Sequence, residues 1–427
     1  MTNPDPPCVH IVGAGLAGLS AAVELSRCGI KVVVYEAAGH AGGRCRSFED
    51  RVLGCMIDNG NHLVLSGNTS TAIYLEAIGA DHAFWSPQEA VFPFFDLQSG
   101  ERWEVRPNHG RIPGWIFDQA RRIPGTGPMS YLGAARLAMA SRGETVAALL
   151  DPGTNLYNRF WEPLVVAALN AVPAKASAQL VWRAMRETFG RGGAHCRPMI
   201  ARNGLSAALV SPALNYIQSH GGMISYNRRL QALDRDAECV GAVKIAGESI
   251  ELGPRDKVVL AVPPAQVARL VPEIEVPGDG GTIVNAHFRL NEPLAPGGEP
   301  SFLGLVGGLG HWIFTRGDVV SVTISAADQL GLANRSQEKL LPILWDEIQQ
   351  ALSIAGMGYV TARLIREHRA TFDQSPTVAA RRPKAVTRWP NLFLAGDYTQ
   401  TGIPATIEGA IRSGTTAARH CIADLQN

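Results

Sequence analysis

Several short runs in this chain combine residue types that could do chemistry. Asp58-Asn59-Gly60-Asn61-His62 sets a carboxyl, two amides and an imidazole within five residues. Gly396-Asp397-Tyr398 adds an acid and a phenol near the far end of the chain. Gly13-Ala14-Gly15-Leu16-Ala17-Gly18 and Gly42-Gly43-Arg44 carry little reactivity of their own but are suited to holding phosphate. In the first glycine run, Gly13 permits the turn, Gly15 lets a pyrophosphate approach backbone N–H groups, and Gly18 allows close helix–strand packing. Gly13, Ala14, Gly15, Ala17 and Gly18 are therefore expected to line a dinucleotide. Glu36 is spaced to accept hydrogen bonds from a ribose diol, and its charge would repel a 2′-phosphate. The nucleotide is thus FAD or NAD and not NADP.

These residues need particular elements behind them. Val9–Val12 reads as a strand, Leu16, Leu19, Val23 and Leu25 recur at helical spacing, and Lys31–Tyr35 is a second β-branched strand. Gly42-Gly43-Arg44 follows just past Glu36, where a loop could wrap the same pyrophosphate and add a cation. With this extension the chain resembles the amine oxidase and phytoene desaturase superfamily of glutathione-reductase-like flavoproteins. The resemblance implies an α/β fold: an FAD-binding Rossmann-like domain with an inserted, discontinuous α+β substrate domain. The expected boundaries are 1–66, 201–275 and 385–427 for the first, and 67–200 and 276–384 for the second.

The resemblance also assigns sites. Asp58–His62, at the end of an expected strand over Arg51–His62, would run past the flavin, with Gly60, Asn61 and His62 touching it; a plain hairpin turn explains the same residues. Met223–Leu233 is strand-like, and Leu230 would lie near the adenosine. Val258–Pro264 would form the strand and turn beneath the flavin. Gly396 and Asp397 resemble the second pyrophosphate and ribitol contact. The helix Ala405–Ala423 would aim the N–H groups of Thr406 and Ile407 at the flavin, favouring its anionic reduced form. Its small residues at 405, 409, 413 and 417 suit close packing.

Composition narrows the classes. The chain has 427 residues, 46% hydrophobic, with 39 basic and 38 acidic side chains and a net charge of +1. Two domains and a large core fit that length, and the charge balance argues against a nucleic-acid partner. Seven scattered cysteines without a CxxC pair indicate a reduced cytosol and neither zinc nor any other metal site. The start, MTNPDPP, has no signal-peptide pattern, and no apolar run is long enough to span a bilayer. Arg111–Arg122 places Trp115, Ile116 and Phe117 between arginines, which suits peripheral contact with the inner face of the plasma membrane and equally an ordinary aromatic anchor. Met129–Leu150 and Trp161–Asn170 read as helices walling an apolar pocket, and 204–222 as a helix ending in a glycine pair. Gly304–Gly310 lacks a following helix and so offers no second nucleotide site; Pro293–Pro300 reads as a loop.

Three details select within the superfamily. Amine oxidases of this fold keep a lysine near flavin N5 where this chain has Asn285. No cysteine lies near Asp397, so FAD should be noncovalent. WEPLVVAALN, VVLAVPPAQVARL, SVTISAAD and NLFLAGDYTQTGIPATIEGAIRSG together resemble the hydroxysqualene dehydroxylases, also called squalene-associated FAD-dependent desaturases. That resemblance implies reduction of hydroxysqualene, a C30 isoprenoid, to squalene in hopanoid synthesis. The allylic C–O bond would ionise and N5 of reduced FAD would deliver hydride. His62, Asp58 and Tyr398 are the candidate acids; Asp58 serves as well as a turn residue and His62 as a cofactor ligand. Reducing equivalents would come from NADPH or a partner reductase, and other squalene-synthesis enzymes are candidate partners. The alternatives are a carotenoid-type desaturase, an amine oxidase, or a non-catalytic flavin scaffold.

Overall fold

The structure, a computed structural model, describes residues 6–294 and 299–426. The first five residues of the MTNPDPP start, and the middle of the Pro293–Pro300 loop, lie outside the described residues.

Five parallel strands form the first sheet, in the order Met223–Ser225, Lys31–Tyr35, Cys8–Val12, Lys257–Leu260, Leu392–Leu394. Its strands are mostly apolar because both faces are covered. Val9, Ile11, Val32 and Val34 pack toward the helices Leu16–Arg27 and Ile407–Gln426. Val12, Val33, Val258 and Leu260 pack on the opposite side, with Leu233, Val243 and Ile245 of a three-stranded antiparallel meander. The two helices meet closely: a Cβ on Gly414 would lie 2.0 Å from the Ala17 carbonyl oxygen. The approach therefore centres on Gly414, outside the stripe of small residues read from the sequence, although Ala417 is also fully buried.

Seven strands form the second sheet, in the order Thr361–Glu367, Ile283–Arg289, Val319–Ile324, Trp312–Arg316, Ser301–Val306, Phe92–Asp96, Arg102–Val105. All neighbours are antiparallel except Ser301–Val306 with Phe92–Asp96. Side chains alternate between the faces of a strand. Val284, Ala286 and Phe288 accordingly pack with Leu340, Leu344 and Ile348 of the helix Gln337–Leu352. The other face carries Asn285 and His287, then Thr323 and Ser321 opposite them, then Trp312 and Phe314. Phe302, Phe94 and Trp103 continue the row. This face thus grades from polar at one end to aromatic at the other.

Local departures from the sequence reading have physical causes. Arg51–His62 is not one strand: Ser47–Asp50 and Cys55–Asp58 pair as a hairpin whose turn is closed by the Asp50 carboxylate, which accepts from the N–H groups of Val52 and Leu53. Met129–Leu150 breaks into three pieces, Pro128–Gly133, Ala134–Ala138 and Val146–Leu149. Ser141-Arg142-Gly143 interrupts the apolar spacing there. The helix expected over 204–222 has a wide turn at Ser206–Val210 before the α-helix Ser211–Ser219, because Pro212 has no N–H to give. Met223–Leu233 divides at Asn227, whose φ of 57° turns the chain from the parallel sheet into the meander. In Arg111–Arg122, Trp115 turns inward against Tyr131, while Ile112 and Phe117 stay exposed. The backbone N–H groups of Leu309 and Gly310 in the glycine-rich run donate to the Glu347 carboxylate, and Trp312–Arg316 beyond is a strand.

Candidate functional site

The first glycine turn separates its three glycines by task. Added Cβ atoms would meet Ala261 O at 2.4 Å from Gly13 and Gly13 O at 1.9 Å from Gly18, so both are fixed by packing. At Gly15 a Cβ would meet nothing within 4 Å. The helix Leu16–Arg27 has Gly15 as its N-cap, with no side chain capping it and no acid in its first turn. Free N–H groups and a positive helix end therefore face open space, an arrangement that fits a pyrophosphate. Glu36 lies at the rim, where its carboxylate accepts from Ala14 N–H and Ala38 N–H, each at 2.8 Å. Those two bonds fix the carboxylate and leave acceptor capacity for a ribose diol.

Gly42 N–H donates to Ala14 O at 2.8 Å, which seats the second glycine turn on the first. Gly43 (φ 56°) lies beside it. Arg44 crosses to the C-terminal segment and donates to Asp397 Oδ2 at 2.7 Å and to Ala370 O at 2.6 Å. Gly396 has φ of 154° and donates its N–H to Ser413 Oγ. Arg382, buried and absent from the sequence reading, ties the 397–403 loop by donating to Asp397 O, Ile403 O and Tyr398 O. Desolvation lowers its pKa to about 10. Nothing in its neighbourhood in sequence marks it out. Thr406 caps the C-terminal helix, its Oγ1 accepting from Gly409 N–H at 3.0 Å. Glu408, in the same turn, is buried and accepts from Ser70 N–H, Thr71 N–H and Arg412.

The Leu230 side chain is buried in the core beneath the first sheet, in one cluster with Val12 and Leu260. Tyr398 is packed in that same core, its phenol oxygen without a partner among the described residues. Burial, with Asp397 adjacent, pushes this phenol far above its ordinary range. Asp58 is taken up by structure: Oδ1 accepts from Ser47 Oγ and Leu205 N–H, and Oδ2 from Arg316 at 2.6 Å. With three donors on its two oxygens, this carboxyl is committed to holding the Ser47, Leu205 and Arg316 segments together.

His62 is different. It is partly exposed and lies near the unpaired Asn285 amide: a Cβ on Gly60 would be 3.3 Å from Asn285 Nδ2 and 3.7 Å from His62 Nε2. Asn61 Nδ2 donates to Thr323 Oγ1, which donates to Asn285 Oδ1. Asn285 Nδ2 is left as a buried donor with no partner among the described residues. Burial lowers the His62 pKa, opposed by Asp58. Next to His62, Leu63 keeps part of its surface open, as do Phe314, Trp312, Trp85 and Met185. The turn at 58–62 thus joins a polar corner to an apolar one. The polar partners on the second sheet escaped the sequence reading because a period-two pattern cannot say which strand lies opposite.

Over residues 16–422 the chain matches the model of the flavin containing amine oxidoreductases. This chain belongs to that family. It is similar to the hydroxysqualene dehydroxylase of Sinorhizobium fredii (strain NBRC 101917 / NGR234), 44% identical with 97% of this chain and 98% of that protein covered. The hydroxysqualene dehydroxylase of Rhodopseudomonas palustris (strain ATCC BAA-98 / CGA009) is 43% identical, with 96% and 97% covered. Among solved structures, cyclohexylamine oxidase from Brevibacterium oxydans IH-35A superposes with a TM-score of 0.71 over 99% of this chain and 100% of its own, at 16% identity. The fold is therefore the FAD-binding α/β fold of that family, and the protein is a flavin-dependent oxidoreductase. Among the described residues no helix is long and apolar enough to cross a membrane, and no cluster of three His, Cys, Asp or Glu side chains could hold a metal ion.

Proposed function

We propose that the protein reductively dehydroxylates hydroxysqualene to squalene. The observation that carries this reading is the junction at His62 between an unpaired polar corner and a run of open apolar side chains, in a chain closely similar to named hydroxysqualene dehydroxylases. The domain division follows: 1–66, 201–275 and 385–427 hold FAD, and 67–200 with 276–384 hold the C30 chain. Gly13–Gly18, Glu36, Gly42–Arg44, Gly60–His62, Gly396, Asp397, Thr406 and Ile407 are the residues proposed to hold the cofactor. Binding is noncovalent. Cys45, next to Arg44, is buried and its thiol is pushed up to about 12, so it offers no thiolate for a tether.

When bound, the reduced flavin supplies a hydride. The chain does the rest. Asn285 Nδ2 orients the substrate hydroxyl, and His62 in its protonated form delivers the proton that lets water leave. Trp312 and Phe314 exclude other water and present π-faces to the allylic cation. The electrons come from NADPH in solution or from a partner reductase. Anaerobically reduced protein mixed with hydroxysqualene should reoxidise stoichiometrically and yield squalene. His62→Ala should slow this about 10²–10⁴-fold without emptying the flavin site. Absence of reoxidation in the wild type, alongside reduction of the oxidised protein by a polyene, would overturn the reading in favour of a desaturase.

Contact with the cytoplasmic membrane surface is part of the same proposal. Ile112, Phe117, Met129 and Met139 are 79%, 72%, 75% and 76% exposed. The turns Gly114–Phe117 and Pro128–Gly133 abut through Trp115 and Tyr131, and Arg111, Arg121 and Arg142 lie nearby in the chain. Flotation with anionic liposomes should fall with salt and fall in an Ile112→Ser, Phe117→Ser double variant; unchanged flotation would remove this face from the argument.

A further inference from the structure

Behind His62 lies a cavity of about 30 Å³ whose lining includes His62, His287, Ser321 and Arg316. His287 is 1% exposed. Its Nδ1 is paired with Ser321 Oγ at 2.7 Å across neighbouring strands, whereas Nε2 is buried without a partner among the described residues. A histidine serving only to brace the sheet would need no second nitrogen left unpaired, since an unmade buried hydrogen bond is costly. The cavity has room for a water molecule, and its lining offers that water several polar partners. One boundary, Arg316, is 29% exposed, so the cavity adjoins solvent.

We propose that His287 and His62 share a water in this cavity, and that this water replenishes the proton His62 spends on the substrate. The proposal rests on the dehydroxylase reading. In the step itself, the allylic C–O bond breaks with its electron pair going to oxygen. The proton on His62 moves to that oxygen, and water departs. Neutral His62 then takes a proton from the cavity water, which regains one from solvent past Arg316. His287 ends as it began, holding the water through Nε2 while Ser321 fixes its ring. The net uptake of one proton matches the reaction, in which alcohol, hydride and proton give hydrocarbon and water. His287 is a positioning residue here, touching neither flavin nor substrate.

Several charges bear on the pair. Asp58 and Arg44 act on His62. Asp58, Arg316 and Asp50 act on His287, and Asp50 is itself paired with Arg363 on the adjoining strand. Asp58 is already satisfied by its three donors, so the water is the remaining mobile link between the two imidazoles.

The test uses flavin-loaded protein with labelled histidine, titrated by NMR, beside the pH profile of reoxidation by hydroxysqualene. His287→Leu should move the His62 titration by about one pH unit, a tenfold change in its proton affinity. It should also slow reoxidation about tenfold, with a matching shift of the profile. His287→Gln, which keeps a polar group on the cavity, should stay closer to wild type in both. If His287→Leu does not fold, Ser321→Ala, which frees the ring, should move the His62 titration in the same direction. An unmoved His62 titration in His287→Leu, or in Ser321→Ala where that variant takes its place, overturns the proposal. Failure of wild-type protein to react with hydroxysqualene would instead sink the activity, with the NMR titration still reporting on the shared water.

Discussion

Gly15→Val separates cofactor binding from folding. Gly15 has φ −75° and ψ 175°, an extended conformation open to any residue, and its Cβ would touch nothing within 4 Å. The substitution should therefore leave the unliganded fold nearly as stable as wild type, losing about 1 kcal/mol at most from a poorer helix N-cap. Space that is empty in the protein alone is where a pyrophosphate would meet the N–H groups of the first helical turn. Branched methyl groups there would push the phosphates out of hydrogen-bonding range. Losing two charge-assisted bonds at about 1.5–3 kcal/mol each costs about 3–6 kcal/mol, or roughly 10²–10⁴ in FAD affinity. Absorbance at 450 nm per protein and titration of flavin-free protein with FAD read the affinity; urea unfolding of the flavin-free forms reads the fold. Gly18→Val is the contrast, because its Cβ would overlap Gly13 O and should disrupt folding outright. A Gly15→Val protein that keeps a full complement of flavin would refute the placement of the pyrophosphate.

Burial also makes stability depend on pH. The His287 pKa falls from 6.5 to about 4, mainly through desolvation, so between those values the unfolded chain binds more protons than the folded one. The contribution is fully present above pH 6.5 and is lost as pH falls toward 4, about 3 kcal/mol in all, with about 2 kcal/mol gone by pH 5. Urea midpoints at pH 7.5 and 5 should show this loss in wild type and a smaller one in His287→Gln; equal slopes would refute the assignment. Because burial lowers the His62 pKa as well, reoxidation by hydroxysqualene should keep accelerating as pH drops below 6.5, and a plateau above that value would argue against His62 as the acid. Glu408→Gln should destabilise the protein by about 2–4 kcal/mol, since the buried carboxylate serves two backbone donors and Arg412; a urea midpoint within error of wild type would show these bonds to be dispensable.

Much of the part around the parallel sheet was legible from residue order alone. Gly13–Gly18, Glu36 and Gly42–Arg44 are local, and a strand, a turn and a helix in series leave little freedom in where they end up. The part around the seven-stranded sheet was not. Asn285 could be singled out as a residue standing where others keep lysine, but its partner Thr323, and Asn61 beyond it, lie on segments whose register nothing nearby in sequence sets. His287 carries no mark in the sequence; its meaning depends on Ser321 arriving opposite. Asp58 and Tyr398 read as acids by type, yet one is tied by three donors and the other faces the core. Neither kind of neighbourhood is visible from side-chain identity.

The contact between the first helix and the last has a consequence for how the chain is made. Ser20 Oγ donates to Ile411 O, a separation of 391 residues. At ribosomal speeds of about 5–20 residues per second, the glycine turn emerges roughly 20–80 s before the helix that must cover it. Arg44 waits almost as long for Asp397. Throughout that interval the face of Leu16–Arg27 that meets Ile407–Gln426 lacks its final cover, although Ser211–Ser219 arrives earlier on the same cluster. The closed form of this layer therefore cannot exist before the last helix has been made.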